Sequence, residues 1–162
     1  DKARRMGKDC HDRLKEQAEA GDPGSQAWLA WLLSEGLGVE QDPKAAIAWA
    51  EKSAKAGNAF GQDLLGTFYC GGIGTEKDIG EGLLWYRQAS EQKLAVAQHN
   101  VARLLTYSPK IKDPVEAIRW WTLAADQNHP GAQTALGIAF EEGVGTTADP
   151  IIAAGWYSMA KA

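Results

Sequence analysis

Cysteine and histidine are scarce in this chain, cationic residues are outnumbered, and long apolar runs are missing. Each shortage excludes something. The two cysteines, Cys10 and Cys70, stand about two repeat units apart in the array described below. That is too far for the few ångströms a disulfide allows between its Cα atoms, so two thiols are expected, each a small apolar packing residue. His11, His99 and His129 share no metal-ligand spacing, and the adjacent side chains of Cys10 and His11 diverge on a helix, so no metal site is expected. With 17 Lys and Arg against 21 Asp and Glu the net charge is −4, which gives no basic footprint for nucleic acid. The cations near the start (Lys2, Arg4, Arg5, Lys8, Arg13, Lys15) alternate with Asp1, Asp9, Asp12 and Glu16, as on a solvated helix face. No apolar stretch approaches the roughly eighteen residues of a membrane span.

Signatures of catalysis are also lacking. There is no Gly-x-Ser-x-Gly, no phosphate loop and no His-Glu-x-x-His, and Glu35 and the Glu141-Glu142 pair read as solvated helix ends. No catalytic residue, no cofactor and no enzymatic activity are expected. The sequence has neither an initiator methionine nor a secretory signal, so it reads as a mature form or a piece of a longer protein.

What is present is repetition. Gln26, Gln62, Gln98 and Gln133 step by 36, 36 and 35; Asp42, Asp78, Asp113 and Asp149, like Trp49, Trp85, Trp120 and Trp156, step by 36, 35 and 36. The missing residue therefore lies inside the third copy. A period of this length is the signature of a solenoid, in which each unit buries its apolar face only against its neighbours.

The first copy gives the plan. Asp22-Pro23 is a helix start, with an acceptor at the N-cap and proline at the first helical position. Helix A runs from Ser25 through Leu33, and Gly36 ends it in the left-handed conformation. After a short turn Asp42-Pro43 starts helix B, which runs from Lys44 to about Ala56. Asp78 with Glu81 and Asp113 with Glu116 have capping-box spacing. The turn glycines recur as Gly36/Gly38, Gly72/Gly74 and Gly143/Gly145 and are structural, since they repeat. Copy three replaces them with Tyr107-Ser108-Pro109-Lys110, so its A–B loop should differ in shape. Gly66, Gly82 and Gly137 each cost about 1 kcal/mol of helix propensity, which points to close helix packing at those positions. The repeated tryptophans are expected in the core, and Trp121 shares its slot with Tyr86 and Tyr157.

The boundaries follow: 1–20 as helix B of a preceding partial repeat, then repeats at 21–56, 57–92, 93–127 and 128–162, in one continuous solenoid. Neither end shows an obvious polar cap, as in a piece of a longer array, and self-association through open ends is possible in such a stack.

These marks resemble the Sel-one-like repeat, a longer cousin of the tetratricopeptide repeat. Copy four carries the pattern in full: Ala132-Gln133, Leu136-Gly137, Phe140, Gly143-Val144-Gly145, Asp149 and Trp156-Tyr157. Copy two is close, copy three lacks the turn glycines, and copy one has Ala50 where an aromatic is usual. The resemblance implies an all-α, right-handed superhelix of four helix-turn-helix repeats of about 36 residues plus a leading helix, with the A helices lining the concave side. It also implies an adaptor that holds a protein or peptide partner, in a bacterial periplasm or envelope or in a cytoplasm. The cysteine pairs of a secreted, β-lactam-linked subgroup are absent.

By analogy with the tetratricopeptide groove, the concave face takes Ala27 and Trp31, Asp63 and Thr67, His99 and Arg103, Thr134 and Ile138. Trp31 is the expected aromatic anchor, with Asp63, His99 and Arg103 giving polar selection. Trp28 and Trp31 fall outside the repeated aromatic pattern; exposure on the groove and packing against a neighbouring unit both remain open for them. A second reading is a glycan- or small-ligand-binding module of a bacterial envelope protein, with tryptophan stacking on sugar rings.

Overall fold

The computed structural model describes the backbone of residues 2–161 and the side chains of residues 11–161. Among these the chain is an all-α solenoid of paired helices: α1 (Lys2–Glu19), α2 (Pro23–Glu35), α3 (Pro43–Lys55), α4 (Ala59–Gly71), α5 (Ile79–Glu91), α6 (Ala95–Tyr107), α7 (Pro114–Ala125), α8 (Pro130–Glu142) and α9 (Pro150–Ala160). It divides into two compact units, the first ending at Ala89 and the second beginning at Ser90, within α5.

Every repeated mark has a local physical task. The repeated aspartates cap the B helices: Asp42 accepts from the Ala45 N–H at 3.0 Å, Asp78 from Glu81 at 3.0 Å and Asp113 from Glu116 at 2.9 Å. Asp149 accepts from both Ile151 and Ile152. The reciprocal half of the expected capping box is taken by tertiary structure. The backbone N–H of Asp78 donates to Tyr69 O at 2.8 Å and that of Asp113 to Leu105 O at 2.7 Å, which staples the start of each B helix to the end of its A helix. Glu116 instead accepts from Trp120 Nε1 at 3.0 Å.

The repeated glutamines are buried, and each reaches back eight residues to a carbonyl at the end of the preceding helix. Gln26 Nε2 donates to Ala18 O at 3.1 Å, Gln62 to Ala54 O at 3.4 Å, Gln98 to Ser90 O at 3.4 Å and Gln133 to Ala125 O at 3.5 Å. Each of these carbonyls also accepts the backbone N–H three residues on, from Gly21, Gly57, Lys93 and Asn128, so the buried glutamine adds a second donor to an acceptor with two lone pairs. Ala18 of α1 thus stands to Gln26 as Ala54 of α3 stands to Gln62.

Gly36, Gly72 and Gly143 close α2, α4 and α8 in the left-handed conformation, whereas α6 ends on Ser108 in extended backbone (φ −86°, ψ 117°). The A–B connection of copy three does differ, as its sequence implied. The second turn glycine has a steric task as well. At Gly74 (φ +71°) a Cβ would run into the Pro43 carbonyl, and at Gly145 (φ +74°) into that of Pro114. The helical glycines have the packing role expected of them: a Cβ on Gly66 would meet the Tyr86 ring, and one on Gly137 the Tyr157 ring.

The expectation that the repeated tryptophans form the core needs correction. Trp49, Trp85, Trp120 and Trp156 are half-buried, while the following slot is the deep one in copies two and three, where Tyr86 and Trp121 are each 2% exposed. The repeated tryptophan lies where its indole N–H or ring face can meet polar groups, as in the Trp120–Glu116 bond and the Lys52 ammonium 4.0 Å above the Trp49 ring. Cys70 is half-buried on α4; the side chain of Cys10 lies outside the described residues.

Candidate functional site

The anticipated groove residues differ in what they present. In the first unit Ala27 is fully buried, and Trp31 is half-buried against the core cluster that contains Ala27, Leu65 and Phe68. Asp63 is buried. Thr67 is engaged: its Oγ1 donates to Asp63 O at 3.1 Å and is paired with the Tyr86 hydroxyl at 2.9 Å. The outermost aromatic is Trp28, 51% exposed. Its ring stands edge-on to Trp31 (centroids 5.6 Å, interplanar angle 84°) and tilts against Phe60 at 5.0 Å. Aromatic pairs at these separations favour such edge and tilted arrangements. The three rings form one aromatic surface at the start of α4 and along α2.

Trp28 stood out in the sequence because it broke the repeat. Phe60 did not, although a signal existed: the matching positions in the other copies are Gly24, Val96 and Gly131, all smaller.

In the second unit His99 and Arg103 lie one turn apart on α6, and Thr134 and Ile138 one turn apart on α8. Arg103, Thr134 and Ile138 are exposed, while His99 is half-buried. His99 stacks on His129 with centroids 4.9 Å apart and rings 25° from parallel. His129 caps α8: its Nδ1 accepts from the Ala132 N–H at 3.1 Å, which fixes a neutral tautomer with the proton on Nε2. His99 Nδ1 is buried without a hydrogen-bond partner. Burial, with His129 and Arg103 nearby, pushes the His99 pKa from 6.5 down to about 4, and burial lowers that of His129 as well. The pair is a neutral, apolar-faced stack at ordinary pH. Sequence reading placed His129 only at a helix start; its stack with His99 is a tertiary contact between two helices.

Neither surface carries a nucleophile–base pair or a ligand cage. Among the described residues no group of three or more His, Cys, Asp or Glu could hold a metal ion, and no helix is long and apolar enough to cross a membrane. The surfaces offer aromatic area, one arginine, hydroxyls and a branched aliphatic side chain, which are materials of protein recognition.

Comparison with known proteins agrees with this reading of the fold. The chain is similar to a protective antigen of SLR fold from uropathogenic Escherichia coli strains, at 31% identity and a TM-score of 0.86 over 93% of this chain and 32% of that one. A Sel1 repeat protein from Oxalobacter formigenes matches at 32% identity and a TM-score of 0.82, over 88% of this chain and 58% of that one. A sel1 repeat protein from Klebsiella pneumoniae subsp. pneumoniae shares the fold at 23% identity and a TM-score of 0.70, with 93% and 73% covered. The chain therefore spans about a third of the first relative and just over half of the second. Among curated proteins none matches it. Sel1 repeats match residues 23–58, 59–94, 95–129 and 130–162 in succession, so this chain belongs to the Sel1 repeat family.

Proposed function

We propose that the chain is a non-catalytic adaptor that holds a peptide segment of a partner protein on the exposed faces of its A helices. Sel1-type repeats as a class mediate protein–protein interaction; the choice of face and of residues is the proposal. The observation that carries it is the aromatic surface of Trp28, Trp31 and Phe60, where a half-exposed tryptophan is held by two further rings. Rigid aromatic side chains already ordered in the free protein lose little conformational entropy on binding, which makes them efficient anchors. In the second unit Arg103, Thr134 and Ile138 would supply the polar and aliphatic contacts, beside the neutral His99–His129 stack.

Asp63 has no place in direct contact on this reading, since it is buried; Thr67 acts through the Asp63–Thr67–Tyr86 chain that stiffens α4. The bacterial envelope and the cytoplasm both remain compartments in which such an adaptor could work.

The test is capture of partner protein from source lysate by the unmodified chain, by Trp28→Ala/Trp31→Ala and by Arg103→Ala. A photo-crosslinking amino acid placed at Thr134 serves as a second readout. Loss of capture with the aromatic pair, and weakening with Arg103→Ala, supports the reading. Capture by all three alike, with no crosslink from position 134, would move the interaction elsewhere.

A further inference from the structure

The A helices do not all start in the same way. Their N-caps step with the repeat: Asp22 for α2, Asn58 for α4, Leu94 for α6 and His129 for α8. Asp22 and Asn58 accept through side-chain oxygens, from the Ser25 N–H at 2.6 Å and the Gly61 N–H at 2.8 Å, and Leu94 offers no acceptor. Of these caps only that of α8 accepts through a ring nitrogen, His129 Nδ1, 3.1 Å from the Ala132 nitrogen. An amide oxygen does not titrate, and a carboxylate does so well below neutrality. An imidazole nitrogen takes up a proton near about pH 6.5 and then has no lone pair to accept with.

The same ring lies on that of His99, with centroids 4.9 Å apart, and Arg103 follows His99 by one turn of α6. His99 offers no compensation, since its Nδ1 is buried without a hydrogen-bond partner. A Cβ added at Gly131 would stand 3.1 Å from His129 Cε1 and 3.4 Å from His99 Cε1, so both rings abut the first turn of α8. A proton on His129 removes the cap acceptor and sets a cation at a helix N-terminus, where the dipole opposes it. It also places that cation against His99, with Arg103 nearby. Of the elements packed against α6 and α8, α7 ends on Asp126 and α9 on Lys161, both exposed. The charges that bear on His99 are those of His129 and Arg103, while His129 is lowered by burial and raised by its own carbonyl. No carboxylate is among these influences to share the added charge.

We propose that the stacked pair is a proton-operated joint: protonation of His129 uncaps α8 and parts it from α6, loosening copy four from copy three in acid. The joint needs no partner. Folded His129 and His99 refuse protons that free imidazoles take up, so it is closed above about pH 6.5 and is driven open as pH falls toward about 4. Its consequence for binding rests on the adaptor reading. Arg103 stands on α6 and Thr134 and Ile138 on α8, so opening would divide that surface.

The test is a titration of the ¹⁵N-labelled chain, without partner, from about pH 7.5 to about pH 5, with imidazole and amide signals followed together. At the alkaline end the His129 ring should carry its proton on Nε2. As the ring titrates, the Ala132 amide should shift with the same midpoint, while the Gly61 amide, capped by Asn58, stays in place. Exchange of the first-turn amides of α8, corrected for its intrinsic pH dependence, should rise by up to about tenfold per pH unit for each proton bound. His129→Asn imports the cap of copy two and should keep α8 closed across the range. His129→Ser is a second non-titrating cap in case asparagine disturbs the fold. A proton on Nδ1 at the alkaline end, an Ala132 amide indifferent to the ring, undiminished acid opening in a folded variant, or equal opening at the start of α4 would each overturn the joint. Partner capture by Trp28→Ala/Trp31→Ala at the alkaline end, where the joint is closed, tests the adaptor reading separately.

Discussion

In the first unit helix α3 contributes Ala50 and the next A helix contributes Phe68, both fully buried in one cluster; in the second unit the same two register positions hold Trp121 and Ala139. The large and small partners have been exchanged. The first arrangement puts an alanine and a phenyl ring in one buried cluster, with no polar side-chain atom to satisfy. The second brings a bulkier ring with an N–H, beside a cavity and without a partner for that donor. Comparable volume can thus be supplied from either helix, but only one choice leaves a cavity and a buried donor without a partner. Close packing fixes the sum of volumes at a contact more strictly than it fixes which element provides them.

Emptying the first arrangement is expected to cost most. Phe68→Ala should destabilise the chain by about 3–5 kcal/mol, read from urea unfolding, because it deletes a fully buried ring beside an alanine that cannot fill the space. Adding Ala50→Trp to that variant copies the second unit and should restore part of the loss; no recovery would show that the two positions do not compensate. Gly74→Ala comes next. It forces a side chain into left-handed backbone against the Pro43 carbonyl, and about 1–3 kcal/mol of destabilisation is expected by the same measurement. A smaller loss, about 1 kcal/mol, is expected for Asp42→Ala, which removes the α3 cap.

The last effect is one of pH and belongs to the second unit. His99 has its pKa held at about 4 by burial first and then by His129 and Arg103, against 6.5 for the free side chain. Between those values the unfolded chain takes up a proton that the folded chain refuses. This contribution to stability is therefore full above about pH 6.5 and is lost progressively as pH falls toward about 4. The urea midpoint should drop between about pH 7.5 and about pH 5, and His99→Asn should flatten that dependence. An unchanged slope in the variant would mean that His99 is not the group responsible.

Much of the fold was legible because the repeat states each local rule several times. Proline after aspartate, glycine at the helix end and small residues opposite Tyr86 and Tyr157 each encode a conformation or a close approach that few other residues satisfy. The groove residues were less legible. Periodicity gave the helix position of Asp63 and Thr67, yet not that Asp63 is buried or that Thr67 is already bonded to Tyr86. Trp28 and Trp31 were conspicuous as departures from the repeat, and only the rings around them decided that Trp28 is the exposed one.

By itself the sequence determined the all-α solenoid, the helix starts and stops, and the odd connection of copy three, because backbone preferences and caps act over a few residues and recur with the period. Tertiary structure alone decided that the repeated tryptophan lies half outside while the next slot is buried in the first three copies, that His99 meets His129, and that the Trp121 N–H is buried and unanswered. Those outcomes depend on what a neighbouring helix places opposite, and a partner some twenty to thirty residues away leaves no mark in local periodicity.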